Sequence, residues 1–462
     1  MSSPDSFTSI NPADGSALET YPAHDQSTVD RFIDEAAQAQ RSWAARPYAE
    51  RAEIMMRAAE VLKSRTDELA ELMTREMGKP IGGARGEVTK CAWVCEYYAE
   101  EAEGFMADVA RPSDHAGAWT VYEPLGVILA VMPWNFPLWQ VFRFAAPTLM
   151  AGNTGLLKHA SNVSGSALAI ENVFTEAGLP EGVFRTLLIG SDRVEGIIAD
   201  PRIAAVTLTG SEAAGRAVGG AAGRNLKPSV LELGGSDAYV VLDDADIDNA
   251  VSKCAAARLM NSGQSCIAAK RFIVTAGIYD EFVARFVDEL ASYRIGDPMA
   301  DDTDVGPQAR LDLRDDLHQQ VQDSIAAGAT LLLGGEVPEG PGAFYPVTAL
   351  ENVAPGMPAF DDELFGPVAA IIRADDEDHA IELANNTEFG LGGAVFTADV
   401  DRGREIAAHR IVTGNCFVNT ACASDPRLPF GGIGISGYGR ELSEMGIHAF
   451  VNAKTVAVAA EG

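Results

Sequence analysis

The 462-residue chain carries 66 Asp plus Glu against 35 Lys plus Arg, a net charge of −31, with 47% apolar and 22% charged residues. That balance excludes a disordered chain, and it argues against nucleic-acid or anionic-membrane binding, both of which need a basic surface. The length exceeds one compact core of roughly 100–200 residues, so two or three domains are expected.

In chain order, Met1 to Ile10 hold no Lys or Arg and no apolar core region, so no secretory or transit signal is expected there. From Ser27 to Ala107 the apolar residues recur at three and four positions (Val29, Phe32, Ile33, Ala36; Ile54, Met55, Ala58, Val61, Leu62), which predicts helices. Short β-rich runs then alternate with helix-length segments: Gly126 to Met132, Gly155 to Lys158, Phe184 to Leu188, Ala205 to Thr209, Val230 to Leu233 and Ala238 to Leu242. Such alternation predicts parallel sheets covered by helices on both faces. A second alternation begins after Asp243, with a helix over Ile247 to Leu259 and a strand over Arg271 to Thr275. The economical reading is two stacked three-layer α/β units, with the chain passing between them near Gly234-Gly235. The longest clean apolar run, Gly126 to Met132, is too short to span a bilayer, so a cytoplasmic protein is expected.

The acidic residues are scattered along the chain rather than gathered in a tail. Either they form an ordinary solvated surface or they mark adaptation to a salty cytoplasm, where the Debye length falls to ~3 Å at molar salt and self-repulsion is screened. The second is the expectation here. Six cysteines show no disulfide framework; Cys91 and Cys95 fall one helical turn apart with no partner at a zinc spacing, so burial is expected and no metal site. Gly432 to Gly437 matches G-x-G-x-x-G, but it follows Pro426 and Pro429 rather than a strand and is read as a glycine-rich loop.

Three polar clusters carry chemistry. Cys266 ends Gly263-Gln264-Ser265-Cys266, a polar loop after a helical segment where a thiol is exposed to a ligand. Glu232 precedes the Leu-Gly-Gly that ends a strand, and Asn135 sits between two prolines in Pro133-Trp134-Asn135-Phe136-Pro137. A thiol, a carboxyl and a carboxamide can add a nucleophile to a carbonyl, hold an oxyanion and activate water. Taken singly, each has a plainer reading: a buried small hydrophobe, a paired surface carboxylate, a turn residue.

Together with Lys158, Thr209-Gly210-Ser211, Glu363-Leu364-Phe365-Gly366-Pro367 and Pro429-Phe430-Gly431-Gly432, in this order, these segments resemble the non-acylating, NAD(P)-dependent aldehyde dehydrogenase superfamily. The resemblance runs from Asn11-Pro12 to about Val458. It implies a cofactor-binding domain over 1–107 and 124–234 and a catalytic domain over 235–436. It also implies an oligomerisation arm and tail over 108–123 and 437–462, through which a homodimer or homotetramer would assemble. By the same resemblance, the Cys266 thiolate attacks the aldehyde, the Asn135 amide and the Cys266 N–H hold the oxyanion, and Glu232 activates the water that hydrolyses the thioester. Loss of such an oxyanion donor costs roughly 10²–10³ in rate. Trp134, Lys158, Ser161, Gly210, Ser211, Glu363 and Phe365 would hold the cofactor.

Many NAD-preferring relatives carry a Glu three residues after the ribose-binding Lys; here Ser161 stands there, which points to NADP, with NAD as the second choice. A carboxylate would repel a 2′-phosphate, whereas Ser161 can donate to it and Lys158 can pair with it. Arg143, eight residues after Asn135, resembles the succinate-semialdehyde branch, in which an Arg faces the substrate tunnel, and Ser424 matches a hydroxyl that the branch uses on the substrate carboxylate. A guanidinium suits a small aldehyde ending in a carboxylate. Met260 and Ala268 stand where better-known members of that branch have a second Arg and a second Cys; Leu156 to Ser161 and Trp139 to Phe144 instead resemble its single-cysteine subgroup. Glutarate semialdehyde or another ω-oxo acid stays open, as does a general aliphatic or hydroxy-aldehyde dehydrogenase. Glu232 disfavours a CoA-acylating enzyme, and the three intact polar residues disfavour a non-catalytic binding protein.

Overall fold

The computed structural model describes residues 5–459. It opens on strands β1 (Ser6–Ile10) and β2 (Ala17–Pro22), followed by helices α1 (Gln26–Ala44), α2 (Tyr48–Ser64), α3 (Thr66–Met77) and α4 (Ile81–Phe105). The hairpin of β1 and β2 has no counterpart in the sequence reading. Its two inward positions on β1 are Phe7 and Ser9, and Ser9 is buried because its hydroxyl donates to Glu76 at 2.8 Å. A polar residue in an inward position hides the apolar alternation by which a strand is recognised. The expected helical tract is real but divided, by Pro47, by Arg65 and by Gly78 ahead of Pro80. Cys91 and Cys95 are fully buried on α4.

The chain continues through β3 (Val109–Ala110), β4 (Gly117–Pro124), β5 (Val127–Met132), α5 (Trp139–Met150), β6 (Thr154–His159), α6 (Ser164–Glu176), β7 (Phe184–Thr186), α7 (Val194–Ala199), β8 (Ile203–Thr209), α8 (Glu212–Arg224) and β9 (Ser229–Glu232). Beyond Gly234-Gly235 come β10 (Ala238–Val241), α9 (Ile247–Leu259), β11 (Arg271–Thr275), β12 (Thr330–Leu333), β13 (Thr348–Glu351), β14 (Val368–Ala374), β15 (Gly393–Phe396), β16 (Phe417–Val418), β17 (Gly437–Tyr438) and β18 (Val451–Val458).

Two parallel sheets dominate. One has the order β17-β9-β8-β5-β6-β7 and the other β12-β13-β14-β11-β10-β15-β16; only β17 and β12 run antiparallel to their neighbours. Alternate residues of β5 show why helices cover both faces. Val127 and Leu129 pack with Val29 and Ile33 of α1, whereas Ile128, Ala130 and Met132 pack into the core that holds Val141 and Phe142 of α5. Strand β10 divides in the same way, Ala238 and Val240 to one core, Tyr239 and Val241 to another. A strand apolar at every position is stable only between two covered faces.

A third sheet, β18-β4-β3, pairs Val451–Val458 with Gly117–Pro124 along their full length, and most of β18 is exposed. The G-x-G-x-x-G segment forms a tight turn over Gly434–Ser436 leading into β17, not a strand-to-helix crossover. Among the described residues no helix is long and apolar enough to cross a membrane. The carboxyl ends of β5, β8 and β9 carry Pro133–Pro137, Gly210-Ser211 and Glu232, so three of the singled-out segments emerge from one edge of one sheet, where open α/β sheets place ligands.

Candidate active site

The cysteine loop is an unusual piece of backbone. After α9 the chain passes through Asn261 (φ 56°), Ser262 (φ 57°) and Gly263 (φ 75°), three successive left-handed residues. For the first two this costs about 1 kcal/mol or more each, so the surroundings must impose it. Gly263 lies against Gly366, where an added Cβ would meet the Gly366 carbonyl carbon at 2.3 Å. Asn261 Nδ2 donates to the carbonyls of Asn135 (2.7 Å) and Gln264 (3.0 Å), and Ser262 Oγ accepts from Gly306 N–H. Buried Arg258 donates to Gly263 O at 2.8 Å, and buried Lys270 donates to Ser265 O (2.8 Å) and Cys266 O (2.6 Å). Cys266 is thereby presented, half-buried, on the wall of a cavity of about 760 Å³. Burial pushes its thiol up to about 12, Lys270 and Arg143 pulling the other way.

Asn135 touches this loop. Its Oδ1 accepts from Gln140 Nε2 at 3.1 Å, which turns Nδ2 toward Gln264 O, also at 3.1 Å, and leaves one amide hydrogen for another acceptor. Two further contacts hold the segment. Burial lowers His159 to about 4, so the ring is neutral; its Nδ1 accepts from Ala160 N–H and its Nε2–H donates to Pro137 O at 2.8 Å. Glu87, ion-paired to buried Lys79, accepts from the N–H groups of Leu138 and Trp139 at 2.8 and 2.9 Å, closing the amino end of α5.

Glu232 is not among the cavity-lining residues. Its carboxyl is buried and faces Gly431, where a Cβ would come within 2.6 Å of Oε1. Burial first, then Glu441, hold it well above the usual carboxylate range, against the pull of Arg143 and Arg440. Arg143 does line the cavity, but it is ion-paired with Glu441, donates to Thr209 Oγ1 at 3.3 Å and lies 4.8 Å over the Phe430 ring. Ser424 lines the same cavity and accepts from Lys90 Nζ at 2.8 Å.

The remaining singled-out residues form two groups. Trp134 meets Phe365 edge to face at 5.7 Å, and Glu363 accepts from Gly235 N–H at 3.0 Å and pairs with Lys270 at 3.4 Å. Gly210 N–H donates to Glu232 O, and Ser211 caps α8, accepting from Ala214 N–H. Lys158, half-buried at the end of β6, and Ser161, exposed on the following turn, lie three strands away from β9. A groove of about 300 Å³ runs beside α8, lined by Gly215, Arg216, Leu233 and Tyr438. A Cβ on Gly215 would come 2.5 Å from a Leu233 methyl, so a side chain there would have to displace Leu233. A helix start, an aromatic slot and a half-buried cation with an exposed hydroxyl fit a dinucleotide laid across the strand ends.

Residues 1–456 match the Aldehyde dehydrogenase family. The chain belongs to the aldehyde dehydrogenase family. It is 50% identical to the succinate-semialdehyde dehydrogenase [NADP(+)] 1 of Mycobacterium tuberculosis, over 98% of this chain and 100% of that one. It is 49% identical to the succinate semialdehyde dehydrogenase [NAD(P)+] Sad of Escherichia coli K12, over 97% of each. The crystal structure of succinic semialdehyde dehydrogenase from Streptococcus pyogenes with NADP+ superposes with a TM-score of 0.96, at 38% identity, covering 98% of this chain and 100% of that one.

Sequence reasoning missed several groups that hold this aldehyde dehydrogenase's site together: Lys270, Arg258, Glu87, Lys79, Gln140, Glu441 and Lys90. No single-sequence signal marks them, since each acts through a contact between distant segments. Two outcomes are expected. In the ligand-free enzyme, iodoacetamide should alkylate Cys266 at a rate rising about tenfold per pH unit from pH 7 to 9.5 without a plateau, because the thiolate fraction grows tenfold per unit below a pKa near 12. A plateau near pH 7 would mean an activated resting thiolate. Gly263→Ala should cost about 2 kcal/mol or more in denaturant unfolding and slow Cys266 chemistry, since it strains φ and collides with Gly366.

Proposed function

We propose that this enzyme oxidises succinate semialdehyde, or a closely related ω-oxo acid, to the free dicarboxylic acid, with NADP as the preferred acceptor and NAD as the second. The observation that carries the reading is the cavity in which Cys266 shares a wall with Arg143 and Ser424. In a chain of net charge −31 an anionic substrate needs local donors of this kind.

Cys266, as thiolate, attacks the aldehyde carbon, and the Asn135 amide hydrogen left by Gln264, with the Cys266 N–H, holds the oxyanion. NADP, when bound, supplies the hydride acceptor. Trp134, Gly210, Ser211, Glu363 and Phe365 would line its nicotinamide and phosphate portions, with Lys158 and Ser161 at the 2′-phosphate. Glu232 takes a proton from water for thioester hydrolysis, which requires it to leave Gly431 and give up its own proton; hydrolysis therefore speeds up as pH rises.

The sheet containing β5 to β9 would be the cofactor domain and the sheet containing β10 to β16 the catalytic domain. The exposed edge of β18 supports assembly into a homodimer or homotetramer through the arm. Six unpaired thiols support a reducing, cytoplasmic setting.

A kinetic matrix of aldehydes against NADP and NAD tests this. Succinate semialdehyde should exceed butyraldehyde by about 30-fold or more in kcat/KM, the scale of a charged hydrogen-bonded contact, and Cys266→Ala should abolish turnover of both. Equal rates for the two aldehydes would return the general aliphatic reading. Ser161→Glu should lower kcat/KM for NADP by about tenfold or more while sparing NAD, by placing a carboxylate against the 2′-phosphate. Unchanged NADP use would remove Ser161 from the cofactor site.

A further inference from the structure

The segment Pro133 to Pro137, which carries Trp134 and Asn135, lies in the connection from β5 to α5. One residue grips both ends of it. Met132, where the segment starts, is the register partner of His159 at the end of β6, and Pro137, where it closes, accepts at its carbonyl from His159 Nε2–H at 2.8 Å. The other ring nitrogen accepts from Ala160 N–H at 2.9 Å, which assigns the ring hydrogen to Nε2. His159 and Pro137 are both buried.

Resting on the reading of Asn135 as an oxyanion donor, we propose that His159 is a positioning residue for that donor: by closing the segment from both ends it sets where the Asn135 amide points. The side-chain contacts of Asn135 alone define its direction loosely. Its partners Gln140 Nε2 and Gln264 O both lie at 3.1 Å, toward the long end of the N–H···O range. The backbone beneath must therefore supply the rest of the orientation. Asn261 Nδ2 holds Asn135 O at 2.7 Å from the cysteine loop, and Glu87 holds Leu138 and Trp139 N–H from α4. His159 supplies the hold from the β6 side, at a carbonyl two residues from the amide that it directs.

The charge state of the ring suits a fixed tether. Burial, with Lys158 adding to it, lowers His159 to about 4, while the backbone of Pro137 and Met132 pulls the other way. Near neutral pH the ring therefore keeps one donor and one acceptor, as Pro137 O and Ala160 N–H require. A protonated ring would turn a second donor toward the Ala160 N–H and lose that contact.

The test compares His159→Phe, a ring without a donor, and His159→Leu, a smaller apolar side chain, with His159→Gln, whose amide N–H replaces the Nε2–H. With succinate semialdehyde and butyraldehyde alike, the Phe and Leu variants should lower kcat and kcat/KM together by about tenfold or more and leave the aldehyde KM within about threefold, because a misplaced oxyanion donor weakens the transition state and not substrate binding. His159→Gln should recover most of the loss, and His159→Leu serves as a second arm should His159→Phe fail to fold. Asn135→Ala should cost about 100-fold or more, and adding His159→Phe to it should cost less than about threefold further, since His159 acts through the amide already removed. Alkylation of Cys266 by iodoacetamide in the ligand-free enzyme uses no oxyanion donor and should stay within about threefold of wild type in the His159 variants. Losses that multiply in the double variant, an equal fall in alkylation, or a Gln variant as slow as the Phe variant would overturn the tether. So would wild-type turnover in the Phe and Leu variants beside a slow Asn135→Ala. Wild-type turnover in Asn135→Ala would overturn the oxyanion reading and the tether with it.

Discussion

The buried ammonium of Lys270 joins three segments far apart in the chain. It donates to the carbonyls of Ser265 and Cys266 and pairs with Glu363 at 3.4 Å, while Glu363 accepts from the N–H of Gly235. The cysteine loop, the Glu363–Pro367 segment and the Gly234-Gly235 crossing between the two sheets thus share one cation. A buried charge without partners costs several kcal/mol, and a pair broken by removal of one partner typically costs about 3–5 kcal/mol. The left-handed turn over Asn261 to Gly263 just before these carbonyls is held by other donors, Arg258 on Gly263 O and the Gln264 N–H on Asn261 O.

The same constraint bears on reactivity. A loop fixed from behind by Lys270 and Arg258 can hold a half-buried thiol at a cavity wall, but burial then disfavours the thiolate. The opposing cations, Lys270 and Arg143, are both partly countered by carboxylates, Glu363 and Glu441. Burial therefore favours the protonated thiol and the protonated Glu232 carboxyl, beside a paired Arg143. In the proposed reaction a thiol held in its protonated form stays quiet in the absence of substrate.

Much of the fold was legible because the sheets are buried on both faces, which makes β5 and β10 continuous apolar runs, and β8 and β11 largely apolar ones, between helix-length segments. Strand boundaries read from the sequence fall within two residues of those observed for each. The hairpin of β1 and β2 was illegible for the opposite reason: one inward position is a serine satisfied by Glu76, and β2 is largely exposed. At the site, Cys266, Asn135 and Glu232 announced themselves by turn-rich local sequence. Lys90, Glu441 and Lys270 did not. Lys90 looks like any helical lysine until Ser424, more than three hundred positions away, lies against it. Glu441 reads as a loop carboxylate until Arg143 is found beside it. Arg143 shows the limit from the other side: it lines the cavity, but its counter-ion cannot be seen in one dimension.

The placement of Glu232 bears on how the proposed reaction keeps its two halves apart. A carboxylate free beside Cys266 would compete with the aldehyde for the oxyanion donors and would add negative charge next to a forming thiolate. Buried against Gly431, where burial and Glu441 favour its protonated form, it does neither. The absence of a side chain on Gly431 is what gives the carboxyl room there. Once an acyl group occupies the thiol, the Cys266 thiolate charge is gone and that electrostatic objection disappears. The energetic cost of bringing an ionised Glu232 forward thus falls at the step that needs it. Order between acylation and hydrolysis then follows from charge in a small cavity and does not require a separate moving part.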